Sequence, residues 1–332
     1  VHLVLLFTIA VTDFRGIWVP RWALGDQNKI FNYLDNEFNH IFLQMYALGE
    51  AYYPSAYAPS KQSSDDWLVD FLAEAHARNI KVSAWINAFY SWGFAPLPGD
   101  ERHPINSHPG WYLCDRSGCS ILEYNSDQLK RMGLEGYYLS PANAGVRAYL
   151  IAIAHEILSR YDFDGIHLDY IRYPNPNFID VISMQSTFMR RYYVDPLSSI
   201  DREESQQRYG VWGCDDIRQK WQFFIHEDLT VFMEQFSKSI KQRYPSVIVS
   251  AAVKPDYKSA MTDFRQDWVT WLNRGYIDLV CLMSYTKNLK RYFAKTKNVV
   301  QEPRRVTFGL GLYILSPETI GDQVRLVDEQ PF

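Results

Sequence analysis

Short β-rich runs alternate with longer helical runs along almost the whole chain, and the connections between them come in two unequal lengths. The strand-like runs lie at 15–21, 40–46, 81–89, 165–173, 247–254, 277–285 and 306–314. Between them, apolar residues recur at helical spacing. Trp67, Leu68, Phe71, Leu72 and Ala75 do so behind a Ser64 cap, Val146, Leu150, Ile153 and Ile157 near 144–160, and Ile217, Trp221, Phe224, Leu229, Phe232, Phe236 and Ile240 over about 216–243. Helix-to-strand links are short, as at Asn79, 161–164 and 245–246, whereas the long connections, about 90–143 and 174–215, all follow strands. Repeated β-then-α units imply a parallel sheet covered by helices. Loops after parallel strands emerge on one face, so this asymmetry predicts an α/β barrel of the (β/α)8 TIM type with its chemistry at the C-terminal mouth.

No linker or composition shift interrupts the pattern, which predicts one domain over 14–332. The 174–215 insertion is expected to carry a short helix at 181–193 and to act as a lid. Seven strands can be counted from Arg15. Ser316-Pro317-Glu318 then starts a helix whose apolar face is Ile320, Val324 and Val327. An eighth strand is missing after it, so the expectation is a barrel lacking that strand and a longer parent chain.

Side chains alternate along a strand, so parity separates the barrel interior from the helix-facing side. In 164–174, Ile166 and Leu168 form the helix-facing pair, which sends Gly165, His167 and Asp169 inward with Asp169 nearest the mouth. The same test places Gln44 and Tyr46, Trp85 and Asn87, Ser250 and Lys254, and Met283 and Tyr285 inward. Polar or aromatic residues at the mouth of five strands mark a site, because an ordinary barrel core is aliphatic. Asp169 fits either a catalytic carboxylate or a structural one capping Arg172 or a backbone amide. His167 fits a partner that tunes Asp169, a substrate contact, or a satisfied core histidine.

Composition narrows the function. The net charge is -4 and no Lys/Arg run is long enough to track phosphates, so nucleic-acid binding has no electrostatic footprint. No stretch of 18 apolar residues is present to span a membrane as a helix. The 10 Trp and 23 Tyr suit sugar-ring stacking as well as core filling. Residues 1–13, with the apolar run VHLVLLFTIAV, read as the remnant of a signal peptide, the alternative being an extra buried strand. Export in turn predicts a small disulfide loop between Cys114 and Cys119 around Gly118.

The run DGIHLDYIRYP (164–174) closely resembles the strand-four signature of the bacterial family-10-like glycosyl hydrolases. Further segments fit in order: FRGIWVPR, IFLQMYALGEAYYPS, KVSAWINAF, VSAAVKPDY, QDWVTWLNRGYIDLVCLMSYT and FGLGLYIL. A more distant likeness is to the family-18 chitinase pattern, matched by Asp164, Gly165, Asp169, Met283 and Tyr285. Ile171 stands where that family has its catalytic Glu. The chitinase mechanism therefore does not transfer unchanged. Similarity to the alpha-amylase-like barrels points to Asp169 as nucleophile or stabiliser.

The resemblance implies a secreted or cell-envelope glycoside hydrolase. It acts on a polysaccharide, such as peptidoglycan glycan strands or another amino-sugar polymer, without a cofactor or metal. Glycoside hydrolysis ordinarily uses two carboxyl groups. Asp169 is one. Glu50 is preferred as the other over Asp256, whose neighbour Lys254 would depress a carboxyl pKa. Arg21, Gln44, Tyr46, Trp85, Asn87, His167, Arg172, Lys254, Asp256, Tyr285 and Tyr313 are the expected substrate contacts. Two other readings compete: a non-catalytic carbohydrate-binding barrel, and a metal-dependent deacetylase using His167 and Asp169. The latter lacks the further histidines such a barrel brings, and no HExxH or paired-Cys site is present.

Overall fold

The computed structural model describes residues 4–7, 14–25, 27–34, 38–199, 202–311 and 313–330. Seven strands run parallel in chain order: β2 (Arg15–Val19), β3 (His40–Ala47), β4 (Lys81–Asn87), β5 (Gly165–Asp169), β6 (Ile248–Val253), β7 (Leu279–Met283) and β8 (Val306–Leu310). Among the described residues there is no eighth parallel strand. The position is filled by β1 (Val4–Phe7), antiparallel to both β2 and β8, with Leu5 opposite Ile17 on one side and Leu310 on the other. An antiparallel neighbour needs no crossover helix, which is how the short connection to β2 suffices. The segment expected as a leader thus contributes a strand; residues 1–3 and 8–13 lie outside the described residues.

The helices cover the outer face of the strands. Ile166 and Leu168 of β5 face them, packing in one continuous core with Val146, Leu150, Ile153 and Ile157 of α3 (Ala144–Arg160). Inside the ring, Trp18, Phe42, Ala252 and Cys281 make a smaller plug. Gly165 is required there: a Cβ at this position would lie 2.3 Å from Ser83 Oγ and 2.8 Å from the Ile248 carbonyl. Asp164, just before it, is structural. Its carboxylate accepts the Val82 N–H at 2.8 Å and meets His76 Nε2 at 3.0 Å.

The longer helices that precede α3 are α1 (Gln27–Leu34) and α2 (Asp66–Ala77). The 174–215 insertion does carry a helix, α4 (Val181–Tyr192), capped by Asp180. Its Phe188 packs edge-on against Trp221 and Phe224 of α5 (Arg202–Arg243), a long helix broken at Gly210, where φ is 70°. No described residue of this insertion lines the cavity at the barrel mouth, where the expected lid would act. The hairpin around Gly118 also departs from expectation, since Cys114 and Cys119 are free thiols. The Asp115 carboxylate closes that turn instead, accepting the N–H of Ser117 and of Cys119 at 2.8 and 3.0 Å.

Candidate active site

A cavity of about 570 Å³ opens at the C-terminal ends of the parallel strands. Nine of the expected site residues line it: the catalytic candidate Asp169 and the contacts Arg21, Gln44, Trp85, Asn87, Arg172, Lys254, Tyr285 and Tyr313. They arrive there because β4 and β5 pair in register, Trp85 beside His167 and Asn87 beside Asp169, so alternate residues rise in layers towards the mouth. At the rim a run of amides links strand ends. The Arg21 backbone N–H donates to Gln44 Oε1 at 3.1 Å, and Gln44 Nε2 donates to Asn87 Oδ1 at 3.3 Å.

Four expected residues are elsewhere. Tyr46 is turned away because β3 carries an irregularity between Gln44 and Tyr46, which reverses the parity. Its hydroxyl meets Tyr149 of α3 at 3.4 Å on the helix side. Glu50 is buried, ion-paired with Lys61 at 2.8 Å, and does not line the cavity. Asp256 caps α6 (Tyr257–Phe264) through the Ser259 N–H and pairs with Lys295, which holds its carboxyl low. His167 lies one layer beneath the cavity. The Trp18 indole N–H donates to its Nε2 at 3.0 Å, and its Nδ1 lies 2.9 Å from Ser250 Oγ. Indole is only a donor, so Nε2 is the acceptor and Nδ1 carries the proton. Burial, with His40 beside it, keeps this ring neutral. Neither nitrogen is left for a metal.

Asp169 sits at the cavity floor. Burial pushes its carboxyl up to about 6, against the opposing pull of the Tyr170 N–H, which it accepts at 2.7 Å, and of Arg172. The residue as a whole is partly exposed and lines the cavity. The Trp85 indole N–H lies close to it and also opposes the rise. Tyr170, directly after Asp169, holds a left-handed backbone with φ of 50°, an unusual state for an aromatic residue that is often found at functional sites. Its ring stacks on Tyr90 at 4.6 Å, and the Arg172 guanidinium lies over it at 5.0 Å.

Sequence reasoning missed four lining residues of consequence: Trp22, Tyr90, Tyr170 and Glu135. Glu135 comes from the long loop after β4. Arg172 Nη2 donates to both of its carboxylate oxygens, at 3.1 and 3.0 Å, and the Tyr138 hydroxyl donates to Oε2 at 3.2 Å. The loop is brought in by a small antiparallel ribbon, Tyr90–Trp92 against Tyr137–Tyr138. Gly136 lets its two backbones touch, since a Cβ there would lie 2.1 Å from the Trp92 carbonyl. A Glu-Gly pair ahead of two tyrosines was the available signal. Lys254 completes the wall; burial, and then Arg172, lowers its ammonium pKa, and it lies 4.8 Å over the Phe264 ring.

An aromatic-walled cleft with an elevated carboxyl at the mouth of a parallel barrel can bind sugar rings and move a proton to a leaving oxygen. Comparison with known proteins agrees with that chemistry. YngK of Bacillus subtilis (strain 168), a glycosyl hydrolase, is 25% identical over 174 residues, which cover 49% of this chain and 30% of that protein. DigH of Escherichia coli (strain K12), also a glycosyl hydrolase, is 23% identical over 299 residues, 82% of this chain and 62% of its own length. The chain therefore spans less than two thirds of either relative. Among solved structures, the PgaB (BpsB) glycoside hydrolase domain from Bordetella bronchiseptica superposes with a TM-score of 0.60 at 14% identity, covering 86% of this chain and 78% of that one. A β-galactosidase from Rahnella sp. R3 follows at 0.50 and 15%, covering 79% and 36%. At such identities the likeness shows the barrel fold. Residues 13–312 match the family described as glycosyl hydrolase-like 10, and with that match spanning most of its length the chain belongs to this family.

Proposed function

We propose that the protein is a glycoside hydrolase that cleaves O-glycosidic bonds of a polysaccharide, with Asp169 at the centre of the reaction. The observation that carries this reading is the Asp169 carboxyl, raised to about 6 at the floor of a cavity walled by Trp85, Tyr90, Tyr170 and Tyr285. A carboxyl tuned near neutrality is what proton delivery to a glycosidic oxygen requires. The aromatic walls offer apolar faces to sugar rings. Arg21, Gln44, Asn87, Lys254 and Tyr313 offer donors to hydroxyl or acetamido groups.

The substrate we favour is an extracellular or envelope polymer, an amino-sugar polysaccharide such as the glycan strands of peptidoglycan. Such a substrate would require an exported chain. Among the described residues no helix is long and apolar enough to cross a membrane. The test is release of reducing ends from a panel of polysaccharides, with and without chelator. Release that survives chelation and disappears in Asp169→Asn supports the proposal. Binding without turnover in the wild type would make the barrel a carbohydrate-binding module, and loss with chelator would make it a metal enzyme.

A further inference from the structure

We propose that Glu135, brought in by the loop after β4 and held by Arg172 and Tyr138, is the second catalytic carboxylate of the site. Among the described residues that line the cavity only two carry carboxyl groups, Asp169 and Glu135. The two acids expected from the sequence as alternatives are occupied: Glu50 by Lys61, and Asp256 by Lys295 and its helix cap. Glu135 is different in kind. Its side chain is 51% exposed while its partner Arg172 is buried at 6%, so the pair is anchored from the protein side and open from the cavity side. A carboxylate whose only task was to neutralise Arg172 would gain by burial alongside it. This one keeps an oxygen surface that water can reach.

Asp169 and Glu135 also share their surroundings. Arg172 lies between them electrostatically, and Lys254 feels both. Their environments are pulled apart: one carboxyl is desolvated, the other is ion-paired and wet. That contrast divides acid from base in paired-carboxyl sites. In the step we assign, protonated Asp169 gives its proton to the glycosidic oxygen as the bond from C1 to that oxygen breaks. A water oxygen forms the new bond to C1, and its proton passes to the Glu135 carboxylate. The sugar alcohol leaves with the proton from Asp169, and the proton on Glu135 returns to Asp169 through solvent. One water is consumed, and the anomeric configuration inverts.

The inference rests on the glycoside hydrolase reading, so the experiment separates the two. The probes are 4-methylumbelliferyl and 2,4-dinitrophenyl β-chitobiosides with wild type, Glu135→Gln and Asp169→Asn. Glu135→Gln is expected to lose about 100-fold or more on both probes, the usual contribution of a general base. Sodium azide, which needs no deprotonation, should restore turnover of this variant and give a glycosyl azide, an effect that a merely structural role would not produce. Asp169→Asn should fail on the methylumbelliferyl probe and be spared on the dinitrophenyl one, whose leaving group needs no acid. Proton NMR of the wild-type product should show inversion. A Glu135→Gln enzyme within about three-fold of wild type, well short of a general-base loss, overturns the assignment, as does retention of configuration. A wild type inactive on both probes and on the polysaccharide panel removes the hydrolase reading itself, and this assignment with it.

Discussion

Arg172 donates through one guanidinium nitrogen to both carboxylate oxygens of Glu135, at 3.1 and 3.0 Å, while its charge holds down the carboxyl of Asp169. One cation thus opposes the burial-driven rise of one acid and fixes the position of another. Replacing it with an uncharged side chain of similar reach, Arg172→Met, removes the downward pull on Asp169. Its carboxyl should then titrate above about 6, and the alkaline limb of the pH profile of kcat/KM should move to higher pH. An unmoved limb would show that Arg172 only positions Glu135.

Asp169→Asn keeps the shape of the side chain but removes the transferable proton. Hydrolysis of unactivated polysaccharide should fall by about 100-fold to 10,000-fold, the usual range for a general acid. The circular dichroism spectrum should not change. Near-normal turnover in a folded variant would end the assignment.

The same substitution should stabilise the protein at neutral pH. A folded-state carboxyl raised to about 6 binds its proton more tightly than the unfolded chain does near 4. Stability is therefore lost as pH rises through that window. Two pH units correspond to about 3 kcal/mol at most, reduced to about 1–2 kcal/mol by the water on the open side of the carboxyl. Melting curves of the wild type and of Asp169→Asn should coincide at pH 4 and separate by pH 7, with the variant higher. Separation at pH 4 of the same size would mean that the effect is packing and not ionisation.

Two barrel-interior histidines act in the opposite sense. Burial lowers His40 to about 3 and keeps His167 well below its ordinary 6.5. The stability they represent is present above 6.5 and is lost as pH falls through the lowered values, because the unfolded chain takes up the protons first. His167→Gln should cost about 1–3 kcal/mol at pH 7.5 through the disturbed Trp18 and Ser250 hydrogen bonds. It should also flatten the decline between pH 7 and 5. Urea midpoints at the two pH values test both parts, and a variant as acid-sensitive as the wild type contradicts the second.

Away from the site, Arg147 of α3 meets Asp228 of α5 at 2.5 Å in a nearly buried pair, and the Tyr173 hydroxyl donates to the same carboxylate at 2.9 Å. Burial raises the Asp228 carboxyl and Arg147 opposes that rise. Arg147→Ala should therefore destabilise by about 3–5 kcal/mol, the cost of stranding a buried charge. Adding Asp228→Asn should recover part of the loss in thermal denaturation. If the double variant is no better than the single, the cost lies in the helix packing.

Much of the barrel was legible because its signals are local. The β-then-α alternation, the unequal loops and the parity of 165–169 and 85–87 needed only neighbouring residues, and those side chains lie where period-two counting puts them. Tyr46 was misplaced for a physical reason: one irregular residue in β3 shifts everything after it to the other face. β1 was read against a parallel neighbour, whereas antiparallel pairing removes the need for a crossover. Glu135 had only a faint local signal, because its position depends on Tyr90–Trp92 finding Tyr137–Tyr138, a contact across some forty residues that hydrophobic pattern does not encode.

That ribbon has a thermal consequence. Asp169 ends a central strand of the barrel, paired on both sides, whereas Glu135 is half exposed and comes just before a short two-stranded ribbon. Two-stranded ribbons are marginal by themselves, and segments of this kind open locally at free energies far below that of global unfolding. The two carboxyl groups are therefore expected to open as different cooperative units of one domain. On warming, the ribbon should release Glu135 while the barrel is still intact. Amide exchange should be fast at 137–138 and slow in β5, and the loss of turnover should precede the loss of ellipticity.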